Sequence, residues 1–242
     1  MQPILFSIGP VNFYSYGLMV SVAFFASMGI FYYFANPKKL WHKNTFTYFI
    51  ITLFLVAMFA RLAFFLAYYD KYFDHWWEVF YLWNGGLVSY GGIVGMIVSF
   101  VIFFRPRLLE NLDILAISVL GGGIFWRIGG ILAGSYPTLQ YDNFLSVHGR
   151  FPAVEIESFF LLVGFIIFSL IYKKSYFKSG NIFFLVIAYY GIIRLFIDYY
   201  RIYPTVIFSL NIGQFTGLIF LLIAILSIFL LKNGRNNKKY NK

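Results

Sequence analysis

Three arginines, Arg61, Arg127 and Arg194, stand inside long apolar runs of this sequence. A charge within a membrane span costs at least about 2.5 kcal/mol on insertion scales, so it normally faces a cavity, a partner or the aqueous interface. A guanidinium suits phosphate, because its planar fork binds two oxygens at once and stays charged when desolvated. Three of them at one level therefore suggest a cationic pocket for an anionic lipid headgroup; the bland alternative is that each snorkels independently to the interface. Asp198 follows Arg194 by four residues, so the two share a helix face and can pair, if only to neutralise charge within a helix bundle. Arg150, Glu155 and Glu157 open a further apolar run, and glycines cluster at 121–123, 129–130 and 134. Such clusters usually allow close helix packing; they can also let a headgroup approach the backbone.

Other chemistry is largely excluded. There is no cysteine, so disulfides, thiolate metal sites and a cysteine nucleophile are absent, and any thiol must come from a partner. His42, His75 and His148 all fall in loops; His148 is a candidate only for its closeness to Arg150 and Glu155. The sequence has no Walker loop, HExxH, GxSxG or dinucleotide fingerprint, and no internal repeat of the kind that marks an inverted-repeat transporter. No metal or organic cofactor is implied.

The elements that carry these residues follow from composition. Of 242 residues 61% are hydrophobic and 12% charged, against about a quarter charged in a soluble domain. Seven continuous apolar runs, at 14–35, 45–68, 86–104, 112–134, 153–172, 181–200 and 210–231, predict an all-α polytopic membrane protein with seven transmembrane helices. Residues 1–242 are read as one integral membrane domain, with 232–242 a basic tail and the first run a retained span rather than a signal peptide. Lys38, Lys39, Lys43, Arg105, Arg107, Lys173, Lys174, Lys178 and the tail's Lys232, Arg235, Lys238, Lys239 and Lys242 fall on one side; the other has only Lys71, Arg150 and Arg201 in its loops, along with Asp70, Asp74, Glu78 and Asp142. By the positive-inside rule the C-terminus is cytoplasmic and the N-terminus outside. The net charge of +10 then reflects topology and anionic lipid, with no nucleic acid as partner. The three arginines each lie six or seven residues before the outer end of an outward-running span, about 9–11 Å deep at 1.5 Å per residue.

Short motifs in order along the chain resemble the prolipoprotein diacylglyceryl transferase family. They begin with Phe6-Ser7-Ile8-Gly9-Pro10, Tyr16-Gly17-Leu18-Met19 and Trp83-Asn84-Gly85-Gly86-Leu87 with Gly91-Gly92. Asn111-Leu112-Asp113 and Arg127-Ile128-Gly129 follow, the latter resembling the start of R-[IL]-G-N-F-x-N-G-E. Arg150-Phe151-Pro152 with Glu157 is similar to R-H-P-S-Q-L-Y-E, and Arg194, Asp198 and Arg201 fall at the spacing of R-x-x-x-E-x-x-R. Ile212-Gly213-Gln214 matches the M-G-Q that opens the last span, and Arg61 an arginine of the second.

The resemblance implies transfer of the diacylglyceryl group of phosphatidylglycerol to the lipobox cysteine of a preprolipoprotein, at the outer side of the bacterial cytoplasmic (inner) membrane. It makes Arg127 and Arg194 the stabilisers of the leaving phosphate, with Asp198 orienting Arg194 and Glu157 positioning a partner. Tyr16, Arg61, Arg150, Arg201, Gly91, Gly92 and Gly129 are implied in substrate binding. The chain also departs from the family pattern: Tyr90 stands where the family has a histidine, Gly130 and Ala133 where it has asparagines, Ser135 where it has glutamate, and Phe151 at a second histidine. The proton of the incoming thiol then falls to Tyr90, His148 or Glu155, and a phenol is a weak base unless neighbouring arginines favour its ionised form. Two alternatives stay open: a diverged paralogue that binds anionic phospholipid with another acceptor or without catalysis, and a transporter with a charged cavity.

Overall fold

A computed structural model describes residues 4–9, 11–81, 86, 88–134, 138–140, 146–147, 149–174, 177–202, 205–207 and 210–240; of residues 8, 11, 71, 73, 74, 89, 90, 205–207, 228 and 230–240 only the backbone is described. Each of the seven expected apolar runs contains a helix. The long helices are α1 (Ser15–Ala35), α2 (Thr45–Ala67), α4 (Ser89–Phe103), α5 (Leu108–Ala133), α6 (Ala153–Lys173), α7 (Asn181–Ile197) and α8 (Ile212–Tyr240), and a single turn, α3, spans Tyr69–Tyr72. Five helical segments are long and apolar enough to cross a bilayer: Ser15–Lys38, Thr45–Ala67, Arg105–Ala133, Ala153–Lys173 and Asn181–Tyr200. Gly91–Phe103 and Ile212–Ser227 are shorter apolar helices. The chain is a helical, multi-pass membrane protein.

By contacts the chain divides into two compact units, Met1–Phe34 with Leu112–Lys242, and Ala35–Asn111. In the first, α5 forms the core, with 67% of its most apolar stretch buried against 22–33% for α1, α6 and α7. Its glycines explain how. A side chain on Gly122 would collide with Ser27 and the Ala23 carbonyl of α1, and one on Gly129 would come within 2.8 Å of the Met19 side chain. This is the small-residue packing that lets helices associate in lipid. Asp113, near the start of α5, accepts hydrogen bonds from the backbone amides of Gly180 at 2.7 Å and Phe183 at 2.8 Å. A carboxylate there satisfies orphan amides at the N-terminus of α7. The backbones of α7 and α8 nearly touch: the Gly191 and Gly217 carbonyls each lie 2.8 Å from the Cβ that the other glycine lacks.

Two small antiparallel ribbons accompany these helices. The first pairs β1 (Ile4–Ile8) with β2 (Val11–Tyr14), with Phe6 stacked on Phe13 at 4.5 Å; the second pairs β3 (Thr205–Ile207) with β4 (Leu210–Asn211). In the second unit α4 lies against α2. A side chain on Gly91 would strike the Phe59 carbonyl, and one on Gly95 would sit 2.9 Å from the Leu55 carbonyl, so these two positions set the approach. Phe49, Phe100 and Phe104 close the far end as a buried aromatic group.

Candidate active site

Three helices of the first unit and the 3-10 turn after α7 deliver one ionic cluster. Arg127 comes from α5, Glu157 from the second turn of α6, Arg194 from the end of α7, and Asp198 and Arg201 from the 3-10 turn Asp198–Tyr200 and the residue after it. Glu157 is its centre: Oε1 takes the Nη2 group of Arg127, and Oε2 takes Nη2 of Arg201 at 2.6 Å. Asp198 receives Arg201 Nη1 on Oδ1 at 3.2 Å and Arg194 Nε on Oδ2 at 2.9 Å. The expected pairing of Arg194 with Asp198 on one helix face is therefore present. Tyr190, one turn before Arg194, accepts from Arg127 Nη2 at 3.1 Å and donates to Glu157 Oε1 at 3.2 Å.

Charge and burial decide what this arrangement can do. Three guanidiniums meet two carboxylates, which leaves one positive charge in excess. The side chains of Arg127, Arg201, Glu157 and Asp198 are 0–3% exposed, whereas that of Arg194 is 17% exposed. The Nη groups of Arg194 make no hydrogen bond among the described residues. The four buried groups thus form a closed network, and the surplus charge sits on the accessible member with a free fork. Arg194 is paired through Nε only, so its Nη groups can take an anion in a charge-assisted, two-pronged hydrogen bond without breaking the pair with Asp198.

The start of α8 supports the same group. The Asn211 amide donates to Gln214 Oε1 at 3.1 Å and the Gln214 amide to Asn211 Oδ1 at 2.9 Å, a reciprocal capping box. The Asn211 side chain also donates to the Asp198 carbonyl. Between them, Gly213 leaves room for the Asp198 carboxylate: a Cβ there would overlap Oδ2 and stand 2.9 Å from Arg194 Nη2. Gly213 and Gln214 of the family-like motif thus carry specific tasks.

A backbone lattice secures Arg201. Arg201 forms a bridge with Thr138, the Leu139 amide donates to the Tyr200 carbonyl at 3.0 Å, and the Phe151 amide donates to the Leu139 carbonyl at 3.3 Å. The Phe151 ring stacks on Tyr200 at 3.9 Å, over a small core with Ala153, Ile193 and Ile197. Where a histidine was expected, this chain holds the turn that carries Arg201 with an apolar clamp.

The other sequence candidates fall as follows. Tyr16 accepts a hydrogen bond from Trp126 Nε1 at 2.7 Å, and the Arg127 guanidinium lies 4.9 Å from the centre of the Trp126 ring. Gly129 is a packing position against α1. Arg150 and Glu155 are exposed. Arg61 belongs to the second unit, where it is buried, donates to the carbonyls of Glu78 at 3.0 Å and Gly86 at 3.3 Å, and lies against the rings of Phe64 and Phe65. Gly86 has φ of +66°, and a side chain on it would meet Phe64 and Arg61, so Arg61 braces this turn. Gly91 and Gly92 face α2. His148, Ser135 and the Trp83-Asn84-Gly85 and Leu87 positions lie outside the described residues, as does the side chain of Tyr90. Tyr190 and Asn211 escaped the sequence reading. Tyr190 was detectable by its i,i+4 spacing to Arg194, and Asn211 by the Asn-x-x-Gln pattern ahead of an apolar run.

Fold and cluster define a multi-pass membrane protein with a buried, net-cationic site. The family model described as prolipoprotein diacylglyceryl transferase matches residues 3–230. Among curated relatives, a phosphatidylglycerol–prolipoprotein diacylglyceryl transferase of Lactobacillus delbrueckii subsp. bulgaricus is 26% identical over 99% of this chain and 94% of its own. One from Streptococcus equi subsp. zooepidemicus is 26% identical over 95% of each chain, and one from Enterococcus faecalis 29% identical over 76% of this chain and 73% of its own. The chain belongs to the prolipoprotein diacylglyceryl transferase family, and it is a transferase.

Proposed function

We propose that this protein transfers the diacylglyceryl group of phosphatidylglycerol to the lipobox cysteine thiol of preprolipoproteins, at the outer side of the bacterial cytoplasmic membrane. The observation that carries the reading is the surplus positive charge of the cluster, placed on the accessible Arg194 and backed by a closed network of Arg127, Glu157, Arg201 and Asp198. In the reaction the thiolate sulfur attacks the glyceryl carbon that bears the phosphoester. The C–S bond forms, the C–O bond breaks, and its electron pair leaves with glycerol phosphate. Negative charge grows on that phosphate, and a guanidinium fork fixed in advance stabilises it without reorganisation.

Arg194 grips the phosphate directly, with Asp198 aiming it through Nε. Arg127 supplies charge from behind, held in register by Glu157 and Tyr190. Arg201 fixes both carboxylates. In the first unit, Tyr16 through Trp126, Gly129 through the α1–α5 spacing, and Arg150 are proposed for substrate binding; in the second, Arg61, which braces the Gly86 turn, and Gly91 and Gly92, which set the α2–α4 spacing, are proposed for the same role. Tyr90 is the proposed carrier of the thiol proton, ahead of His148 and Glu155. We further assign the chain seven spans, with the N-terminus outside and 232–242 a cytoplasmic tail of a single membrane domain 1–242.

Purified protein given phosphatidylglycerol and a lipobox peptide yields a peptide heavier by one diacylglyceryl group, read by mass spectrometry. Failure of the wild type to form that product while still binding the lipid would transfer the assignment to a non-catalytic phospholipid-binding paralogue. Tyr90→Phe is inactive if its phenol carries the proton, and unchanged turnover would discard that role.

A further inference from the structure

A groove lies away from the ionic cluster, toward the opposite end of α6 from Glu157. This groove of about 570 Å³ runs between α1 and α6, its walls formed by Ile30, Tyr33, Phe165 and Ser169 among others, and Lys173 stands at one end. The groove exists because side chains are missing. Gly29 of α1 has open space where its Cβ would be, and Gly121 of α5 lets Ile30 and Phe165 settle into contact with its backbone. Two polar features stand out in this apolar cleft. The Ser169 hydroxyl is buried with no hydrogen-bond partner among the described residues. Lys173 has no carboxylate partner among them either: its ammonium donates to the Tyr33 hydroxyl at 3.0 Å and lies 5.0 Å from the centre of that ring and 5.9 Å from that of Phe34.

We propose that this groove binds one anionic phospholipid of the leaflet at the Lys173 end, with an acyl chain along α1 and α6 and the headgroup phosphate on Lys173. The complementarity is specific in charge as well as shape. Lys173 is the last residue of α6, with Lys174 and Lys178 following, so a phosphate there meets a basic surface at headgroup level. An ammonium with no carboxylate beside it among the described residues attracts anionic over zwitterionic lipid, and Tyr33 fixes its position. The volume falls in the range typical of ligand clefts, about 300–1,000 Å³. Such a lipid would seal the α1–α6 seam without entering the chemistry.

The test uses full-length protein carrying Arg194→Ala, so that phosphate binding at the cluster is removed, titrated with dioleoylphosphatidylglycerol or dioleoylphosphatidylcholine and read by native mass spectrometry. The expected result is one retained lipid with preference for the anionic species. Adding Lys173→Ala lowers phosphatidylglycerol affinity about fivefold and leaves phosphatidylcholine unchanged, as the loss of one lysine at a membrane surface implies. Lys173→Arg restores the preference, and Gly29→Leu, which fills the groove, abolishes binding of both lipids. Equal binding of the two lipids by the parent, or an unaltered phosphatidylglycerol affinity in Lys173→Ala, would overturn the proposal.

Discussion

Among single residues, the contrast between Arg127 and Arg194 separates stability from chemistry. Both contribute positive charge, but Arg127 is enclosed by Glu157 and Tyr190, whereas Arg194 is partly exposed and its Nη groups make no hydrogen bond among the described residues. Arg194→Ala is therefore expected to lower turnover by about 100- to 1,000-fold, the cost of one preorganised charge-stabilising donor, and to lower the thermal midpoint less than Arg127→Ala does, because the Arg194 end of its pair with Asp198 is 17% exposed and partly screened by solvent. Arg127→Ala also abolishes transfer, and in addition strips Glu157 of one of its two cations at a fully buried position. Breaking such a pair costs about 3–5 kcal/mol, visible as a large drop in melting temperature. Full activity in either variant would remove the phosphate assignment. The sequence showed these arginines because charge in an apolar run is conspicuous, and the i,i+4 rule paired Arg194 with Asp198. It did not show that Glu157 unites Arg127 with Arg201, because that contact joins residues 30 and 44 positions apart. Arg61 shares their expected depth and ranks behind them as a substrate-binding candidate, yet its Nη groups donate to backbone carbonyls, a preference that no side-chain pattern encodes.

Elements are where close packing turns sequence detail into geometry. Gly213 opens α8 beside the Asp198 carboxylate, so Gly213→Ala forces that carboxylate aside and misaims Arg194. Turnover should fall about 100-fold, the scale of a displacement near 1 Å, while circular dichroism stays the same or gains helix because alanine is the better helix former. Retained activity would show that Asp198 does not aim Arg194. Phe151 acts at one remove: its stack on Tyr200 and the hydrogen bond that its backbone N–H donates to the Leu139 carbonyl hold the turn from which Arg201 projects. Phe151→Ala should cost about 3 kcal/mol or more in stability, and Phe151→Tyr, which keeps the ring, should recover most of it. Equal melting temperatures for Phe151→Ala and wild type would refute the clamp. Helix positions were legible because run length and hydropathy report burial in lipid directly; α2 and α6 end within a residue of expectation. The start of α8 was placed two residues early, because Leu210 and Asn211 pair with the preceding strand, and both ribbons depend on partners that single-strand pattern does not reveal.

For the whole molecule, the distribution of charge makes a claim about orientation that the absence of cysteine renders directly testable. The basic loops around Lys43 and Ser179 and the acidic segment around Asp70 belong to opposite sides if the positive-inside rule governs this chain. Lys43, Asp70, Gln140 and Ser179 are all exposed, so a single cysteine at any of them would be open to reagent with no native thiol to confuse the signal. In intact spheroplasts a membrane-impermeant maleimide should label Asp70→Cys and Gln140→Cys at once. Lys43→Cys and Ser179→Cys should react only after permeabilisation. The outcome bears on mechanism as well as topology. Gln140 pairs by its backbone with Arg150, and its neighbour Leu139 joins the lattice that holds Arg201. The side from which Gln140 is labelled is therefore the side on which the cationic cluster opens. Labelling of Ser179→Cys in intact spheroplasts would put the start of α7 outside, turn its Arg194 end and the cluster toward the cytoplasm, and deny the cluster access to a preprolipoprotein emerging at the outer surface.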